Sequence, residues 1–315
     1  MTGAANGASR LRHTALFYTD SAEYLSALSD FVLAGTAAGQ QVLVAISQSG
    51  AAQLRQLLPE PNSRLAFADM AELGRNPARI MPAIEGFLAD LAVRPARYVG
   101  EPIWPGRTAA EVAEATLHEA LINSALSGSD VTVLCPYDVT GLPDQVVADA
   151  RRTHPVLIEG GRQLPSASYA GAGNLPAGCP RPLRPAPAGA VTMPYRADLR
   201  AVRDLVSLHA TEAGLKADRV ADIVLAVNEV AANTLQHTGG PGTVSVWLTD
   251  DEFICEIRDA GQITDPLAGR RLPAHDSPGG KGLWMVNQVC DLVELRSDSA
   301  GTVIRLHMRV ADQPA

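Results

Sequence analysis

The chain has 315 residues, a net charge of −8 at pH 7, 46% hydrophobic residues and 19% charged residues. This length predicts two domains that each bury a core, and the composition is typical of a globular protein. The negative charge argues against direct nucleic-acid binding. The sequence shows neither a signal-peptide pattern nor an apolar run of about 18 residues that could span a membrane, so we expect a cytoplasmic protein.

The first 164 residues alternate short apolar runs with helical patterns. The runs that predict strands are at 14–18, 41–47, 64–69, 96–102 and 131–138. Such an alternation predicts a mostly parallel sheet with helices on both faces. The four cysteines are widely scattered and form no CxxC pair, so we expect neither a structural zinc site nor a disulfide framework.

Residues 165–190 are mostly Pro, Gly and Ala and have no hydrophobic period, which predicts a semi-extended linker. The region 191–315 has a different order of elements. Helical patterns at 197–213 and 217–237 are followed by strand patterns at 243–250 and 252–261, a helix at 282–291, and strands at 292–298 and 301–310. This order predicts an α/β sandwich with an antiparallel or mixed sheet.

The stretch AVNEVAANTLQHT at 226–238 places Glu229 and Asn233 one helical turn apart on an otherwise apolar helix. Taken alone, this spacing favours a solvated helix face. Three later motifs follow it in order. DAG at 259–261 ends a strand, GGKGL at 279–283 opens a helix whose free N–H groups suit a phosphate, and GT at 301–302 begins the last strand.

NEVAAN, DAG and GGKGL resemble the N, G1 and G2 boxes of the GHKL nucleotide-binding family, which has the Bergerat fold. Within this family, the short domain is most similar to the anti-sigma serine kinases, and the resemblance covers 191–310. It implies ATP and Mg²⁺ as cofactors, Glu229 as the general base and Asn233 as the Mg²⁺ ligand. It further implies that Asp259 accepts a hydrogen bond from the adenine amino group. The remaining nucleotide contacts that it implies, beside a lid at 263–280, are Gly261, Gly280, Lys281, Gly282 and Thr302.

The same resemblance implies an anti-sigma factor, which binds a sigma factor and phosphorylates a Ser or Thr of a STAS-type anti-anti-sigma partner. Arg203, with Arg200 close by, is the candidate for contact with these partners, and a homodimer is compatible with this assignment. Three alternatives stay open: an ATP-bound module that works by partner exchange alone, a sensor with a degenerate ATPase domain, and a histidine autokinase. The autokinase would need an acceptor histidine, and His209 lacks both the acidic neighbour and the helical hairpin typical of one.

The N-terminal region contains the motifs FYTD, GRNPAR, GEPIWPGR, HEALIN and CPYD. These motifs resemble the recurring blocks of the MEDS domain, a sensory module related to the RecA and KaiC ATPases. The resemblance covers about residues 13–155. The position of a phosphate-binding loop reads TDSAEYL, without a Walker lysine, so we expect no ATP hydrolysis there. We expect a small-molecule sensor or a docking platform. The candidate pocket residues are Glu101, Trp104, Arg107, His118, Cys135, Tyr137 and Asp138, and Cys135 is also a candidate redox-sensitive residue.

Overall fold

The computed structural model describes residues 11–59, 63–91, 95–172, 174–175, 179–273 and 280–310. The chain divides into two compact units. The N-terminal unit comprises Met1–Gly74 and Ala83–Cys179, and the C-terminal unit comprises Arg75–Pro82 and Pro180–Ala315. The predicted domain boundaries at 164 and 191 stay predictions. In the part of the chain that is described, no helix is both long and apolar enough to cross a bilayer.

The elements of the first half alternate between strands and helices in chain order. The strands are β1 (Arg12–Tyr18), β2 (Gln41–Ile46), β3 (Leu65–Asp69), β4 (Ala96–Gly100), β5 (Val131–Asp138), β6 (Val156–Glu159) and β7 (Arg162–Pro165). The helices are α1 (Ser21–Ala37), α2 (Gln48–Leu57), α3 (Met70–Leu73), α4 (Ile80–Ala89), α5 (Ala109–Ala125) and α6 (Asp144–Thr153), with a 3₁₀ turn at Pro77–Arg79.

The strands of the N-terminal unit form one sheet in the order β3-β2-β4-β5-β1-β6-β7. All neighbouring pairs are parallel except β6 and β7, which form an antiparallel hairpin at the edge. Helices α1 and α2 pack on the face that carries Leu16 and Val44. Helix α5 reaches the opposite face, where Glu119 and Asn123 bond to His13. The predicted parallel-rich sheet is therefore confirmed, whereas the likeness to RecA and KaiC stays a prediction.

The second half contains β8 (Val191–Tyr195), α7 (Leu199–Glu212), α8 (Ala217–Thr238), β9 (Gly242–Leu248), β10 (Glu252–Asp259), α9 (Lys281–Val289), β11 (Leu292–Asp298) and β12 (Gly301–Arg309). The sheet order is β11-β12-β10-β9-β8, and every neighbouring pair is antiparallel. The prediction of a separate antiparallel sheet is confirmed. Strand β8 was not predicted.

One face of the second sheet packs against the helices. Alternate residues of β9, β10 and β12 join side chains of α7, α8 and α9 in one apolar core. The opposite face carries polar side chains that are nevertheless buried, among them Glu256, Arg305 and His307. Arg305 donates to the backbone oxygen of Arg184 at 2.5 Å. The predicted linker is therefore hydrogen-bonded to this sheet face after residue 180.

Candidate functional site

Helix α8 forms one wall of the candidate site. Its buried residues are Ile223, Ala226, Val227, Val230, Ala231 and Thr234, a spacing that places all of them on the face turned toward the sheet. Glu229 and Asn233 flank this stripe and are half-buried. The helix ends at Gly239, whose φ of 62° is the left-handed conformation that glycine adopts at a helix end.

The beginning of α9 lies directly against the two polar residues of α8. A Cβ atom at Gly282 would lie 3.1 Å from Oε2 of Glu229 and 3.6 Å from Nδ2 of Asn233. Gly280 precedes the helix with a φ of 84°, where a residue with a side chain would be strained. The glycines thus bring backbone N–H groups at a helix N-terminus close to a carboxylate and an amide.

Asp259 lies at the end of β10 and is held in a fixed orientation. Its Oδ2 accepts from the hydroxyl of Thr234 at 2.7 Å, and its Oδ1 accepts from the backbone N–H of Gly261 at 2.7 Å. The hydroxyl of Tyr195 donates to Thr234 Oγ1 at 3.1 Å. Burial, together with the negative charge of Asp259, raises the pKa of Tyr195, although its bond to Thr234 opposes this effect. The tyrosine therefore stays a donor, and the three side chains form a hydrogen-bond chain that ends on the carboxylate.

Thr302, at the beginning of β12, completes this corner. Its hydroxyl donates to the backbone oxygen of Gly261 at 2.8 Å and lies 2.8 Å from Ser297 Oγ. A Cβ atom at Gly261 would lie 2.6 Å from Cγ2 of Thr238, so a larger residue would have to displace this side chain. The DAG and GT motifs are therefore neighbours in space, although more than 40 residues separate them in sequence.

These elements enclose a cavity of about 680 Å³. The predicted site residues that line it are Asn233, Asp259, Gly261, Gly280, Gly282 and Thr302. An adjacent groove of about 480 Å³ is lined by Glu229, Lys281 and Gly282 together with Leu272, Pro273, Trp284 and Met285. Glu229 lies on the groove side and Asn233 on the cavity side, and Gly282 lines both. Residues 274–279 of the expected lid lie outside the described part of the chain.

The cavity suits a nucleotide in size and chemistry. Its fixed carboxylate can accept from an amino group, and the N-terminus of α9, which also lines the cavity, offers N–H donors to phosphate. The amide oxygen of Asn233 is a ligand that Mg²⁺ accepts. A side chain at position 282 would contact Asn233 and press on the Glu229 carboxylate, which would have to move by a few tenths of an ångström.

Sequence reasoning missed several residues of this site. Thr234 and Tyr195 hold Asp259, and His237 and Arg271 line the cavity. A hydroxyl on the buried stripe of α8 was a usable signal for Thr234, because a buried hydroxyl requires a partner. Tyr195 carried no such signal, because it lies in the strand that was not predicted.

The arginines proposed for partner contact differ in their surroundings. Arg203 is half-buried and donates to Oδ1 of Asn228 on α8 at 2.9 Å. Arg200 is exposed and lies 3.7 Å from Asp204. The Nδ1 atom of His209 lies 3.1 Å from Glu212, one turn along α7, so this histidine does have an acidic residue near it.

That the seven residues proposed for the N-terminal pocket line one ligand site stays a prediction. Glu101 is buried and accepts hydrogen bonds from the hydroxyls of Tyr18 and Tyr24, both at 3.1 Å. Burial raises the pKa of Glu101 to about 7, although the two tyrosines oppose this shift. The guanidinium of Arg107 lies 4.2 Å from the centre of the Trp104 ring.

Two of the other four members interact with residues of the same predicted set: the charge of Asp138 adds to burial in raising the pKa of Glu101, and Cys135 adds to burial in raising the pKa of Tyr137. Asp138 accepts from Thr140 and Gly141 in a turn after β5. His118, Cys135 and Tyr137 are buried, and burial raises the pKa of the Cys135 thiol. A reactive thiolate needs an accessible, electropositive site, so the structure does not support Cys135 as a freely accessible redox residue.

Comparison with known proteins identifies both halves of the chain. Residues 12–155 match the family described as MEDS, the methanogen/methylotroph DcmR sensory domain, and residues 194–308 match the histidine kinase-like ATPase domain. The serine-protein kinase RsbW of Halalkalibacterium halodurans is 32% identical over 130 residues, which cover 37% of this chain and 79% of that protein. The RsbU and RsbW domains of Rv1364c from Mycobacterium tuberculosis match with 21% identity and a TM-score of 0.29, over 38% of this chain and 32% of that one. The chain therefore belongs to the family of the serine-protein kinase RsbW, with a MEDS domain at residues 12–155 and a histidine kinase-like ATPase domain at residues 194–308.

Proposed function

We propose that the C-terminal unit binds ATP and Mg²⁺ and phosphorylates a Ser or Thr of a STAS-type anti-anti-sigma partner, and that it binds a sigma factor when this partner is phosphorylated. The observation that carries the proposal is the position of two side chains on one helix. Asn233 lines the cavity and Glu229 lines the groove beside it, on either side of Gly282. Asn233, the metal ligand, thereby faces the ATP in the cavity, and Glu229, the base, faces the acceptor hydroxyl in the groove.

The cavity residues have the task of binding and orienting ATP. Asp259, fixed by Thr234 and Gly261, accepts from the adenine amino group, and the N-terminus of α9 receives the phosphates. The amide oxygen of Asn233 would hold Mg²⁺, which would neutralise the phosphate charge. Phosphoryl transfer requires little else besides this electrostatic stabilisation and a correctly placed acceptor.

The groove residues receive the acceptor. Leu272, Pro273, Trp284 and Met285 offer an apolar surface to a protein loop, and Glu229 is the carboxylate beside it. The acceptor oxygen attacks the γ-phosphorus while the bond to the ADP oxygen breaks and ADP leaves with the electron pair. The hydroxyl proton passes to Glu229, which acts as the general base.

The N-terminal unit provides the regulatory input in this proposal. A half-exposed tyrosine and a buried carboxyl with a raised pKa, Tyr18 and Glu101, lie at the ends of parallel strands, where open α/β sheets bind ligands. A small molecule bound there would bias the exchange between the sigma factor and the STAS-type partner. Arg203, with the exposed Arg200 close by on α7, is the candidate for contact with these proteins.

The test uses the full-length chain, radiolabelled ATP and a panel of STAS-domain proteins from the same genome. We expect an acid-stable label on one of these proteins and none on the kinase itself. Glu229→Gln should reduce the transfer rate about 10²–10⁴-fold, the usual contribution of a general base, and leave ATP affinity within a few-fold of the unmodified protein. Glu212→Gln is the matched control, because this exposed glutamate of α7 lines neither the cavity nor the groove.

Two outcomes would overturn the kinase assignment. Acid-labile label on the chain itself, lost in His209→Gln, would show a histidine kinase. Unchanged partner exchange in cells that carry Glu229→Gln would show that nucleotide binding without transfer is sufficient, which is the behaviour of a binding module.

A further inference from the structure

Four side chains that the proposed function does not use meet inside the N-terminal unit. His13 comes from β1, Glu119 from α5, Cys135 from β5 and His154 from the residue after α6, and we refer to them as the histidine cluster. Each of them is at most 1% exposed. Their nearest nitrogen, oxygen and sulfur atoms all lie within 4.8 Å of one another.

The outer nitrogen of each imidazole is already committed as a donor. His13 Nδ1 lies 3.1 Å from Asn123 Oδ1, and the Asn123 amide nitrogen donates to the backbone oxygen of Thr153 at 2.7 Å. The amide oxygen therefore faces His13 and can only accept. His154 Nδ1 lies 2.8 Å from the backbone oxygen of Ala150, another group that can only accept, and 3.0 Å from the hydroxyl of Thr153, whose own proton is directed at the backbone oxygens of Asp149 and Ala150. In their neutral forms, both rings consequently carry the proton on Nδ1 and a lone pair on Nε2.

Both lone pairs are directed at the same carboxylate oxygen. Oε2 of Glu119 lies 2.9 Å from His13 Nε2 and 3.1 Å from His154 Nε2. The other oxygen of Glu119 has no hydrogen-bond partner among the described residues, and His154 Nε2 has no bond of acceptable geometry. Three acceptors therefore converge in the protein interior, and the Cys135 thiol, 3.5 Å from His13 Nε2, is a weak donor that can satisfy only one of them. Such an arrangement is unfavourable unless a cation lies between them.

Protons are a poor solution to this conflict. Two imidazolium rings would lie with their centres 4.0 Å apart in the interior, with one carboxylate to balance them. A divalent metal ion resolves the conflict with balanced charge, because its two positive charges match one carboxylate and one thiolate.

We propose that the histidine cluster binds one zinc-class divalent ion through its four side chains. Two imidazoles, a carboxylate and a thiolate are a ligand set that zinc accepts in tetrahedral geometry, and four protein ligands are typical of a closed, structural site. Zinc bonds of about 2.0–2.3 Å place tetrahedral ligand atoms about 3.3–3.8 Å apart. The separations here are 2.9 Å, 3.1 Å and, between Cys135 Sγ and His13 Nε2, 3.5 Å, and they reach at most 4.8 Å within the cluster, so tetrahedral binding requires side-chain movements of up to about 1 Å.

The surroundings of the cluster match those of metal-bound imidazoles. Such rings donate their second N–H to a backbone or side-chain oxygen, which fixes their orientation, and both rings do so here. The ion would tie β1 and β5 to α5 and to the chain after α6, so residues 13 and 154 would be cross-linked. Because the cluster is buried, the ion would enter as the domain folds, and the thiol would lose its proton to the solvent on binding.

The experiment measures metal directly in the full-length chain after removal of any affinity tag. Protein produced with added zinc should contain about one zinc ion per chain, measured by inductively coupled plasma mass spectrometry. Protein refolded with Co²⁺ should show tetrahedral visible absorption and a thiolate-to-cobalt charge-transfer band. Cys135→Ser should lose this band, and His154→Ala should lose at least about 90% of the bound metal. Cys255→Ser is the matched control, because Cys255 is an equally buried free cysteine in the C-terminal unit and should change neither signal.

A folded chain that binds no stoichiometric metal in either preparation would overturn the proposal. Metal that binds with the same spectrum in Cys135→Ser would overturn it as well, because the ion would then lie elsewhere. If His154→Ala does not fold, the cobalt spectra of the unmodified chain and of Cys135→Ser still decide. None of these results depends on kinase activity.

Discussion

The hydrogen-bond chain that ends on Asp259 gives the sharpest test of the nucleotide site. Thr234→Val keeps the shape of the side chain and removes its hydroxyl. That hydroxyl has one proton, and the 2.7 Å contact with the Asp259 carboxylate is much shorter than the 3.3 Å contact with the backbone oxygen of Val230. The proton is therefore donated to Asp259, and the substitution removes a hydrogen bond to a charged group.

Two losses follow from this single change, and they affect different measurements. The bond to the carboxylate contributes about 1.5–3 kcal/mol, and each 1.4 kcal/mol corresponds to a tenfold change in affinity. Because Gly261 N–H still holds the other oxygen of Asp259, we take the lower end and expect ATP affinity to fall about tenfold. The buried hydroxyl of Tyr195 also loses its acceptor, which destabilises the fold by about 1–3 kcal/mol.

A second substitution separates the two effects. Tyr195→Phe in the Thr234→Val background removes the unsatisfied hydroxyl, so stability in thermal unfolding should recover, whereas ATP affinity by calorimetry should not. Thr192→Val is the control, because the Thr192 hydroxyl bonds to Ser245 and does not line the cavity. The reasoning is refuted if Thr234→Val binds ATP within about twofold of the unmodified protein, or if Tyr195→Phe restores affinity together with stability.

Two further predictions concern the pH dependence of stability. His307 is buried and bonds to Glu252 at 2.9 Å and to Glu294 at 3.1 Å, and although burial opposes its protonation, these carboxylates raise its pKa to about 9. Protonated His307 contributes up to about 3 kcal/mol to the free energy of unfolding. This contribution is complete below about pH 6.5 and is lost as the pH rises through 9. Urea unfolding should show a decline in stability between pH 7 and 10, and an equal decline in His307→Gln would contradict this assignment. Burial raises the pKa of Glu101 to about 7, so the unfolded carboxyl ionises first and stability is lost as the pH rises from about 4.5 through 7. Glu101→Gln should remove up to about 3 kcal/mol of this pH-dependent loss of unfolding free energy, measured in the transition of the N-terminal unit. An unchanged loss would contradict the raised pKa.

The elements that could be predicted from the sequence are those whose signal is local. Helix α8 carries a buried stripe from Ile223 to Thr234 and ends at a glycine, so its bounds were predicted to within one residue. Strand β8 and the β6–β7 hairpin were missed because their strands are short and lie at sheet edges, and both contain proline. A short run that contains proline predicts a linker, although an edge strand also tolerates proline.

The candidate site shows the same limit. Glu229 and Asn233 were predicted to share a face because four residues make one helical turn. That Gly282 separates them into a groove and a cavity was not predictable, since it depends on how α9 packs against α8. The bond between Thr234 and Asp259 joins a helix to a strand, and no periodicity reports such a contact.

The histidine cluster and the Tyr18–Glu101 pair both include residues of strand β1, which pairs with β5. His13 and Ala15 of β1 lie opposite Val133 and Cys135 of β5, so His13 and Cys135 are diagonal neighbours on one face of the sheet. Tyr18 lies opposite Asp138 at the other end of the same pair. Five residues of strand separate His13 from Tyr18, a distance of about 16 Å, and the two side chains point to opposite faces.

This arrangement assigns the two groups different roles. The cluster is enclosed on all sides, so an ion bound there cannot contact a ligand at the strand ends. It would instead fix the pairing of β1 with β5, and this pairing positions Tyr18 beside Glu101. Removal of the ion should consequently loosen the polar edge where we propose a small molecule to bind, while the nucleotide cavity, built from other strands and helices, would keep its residues in place.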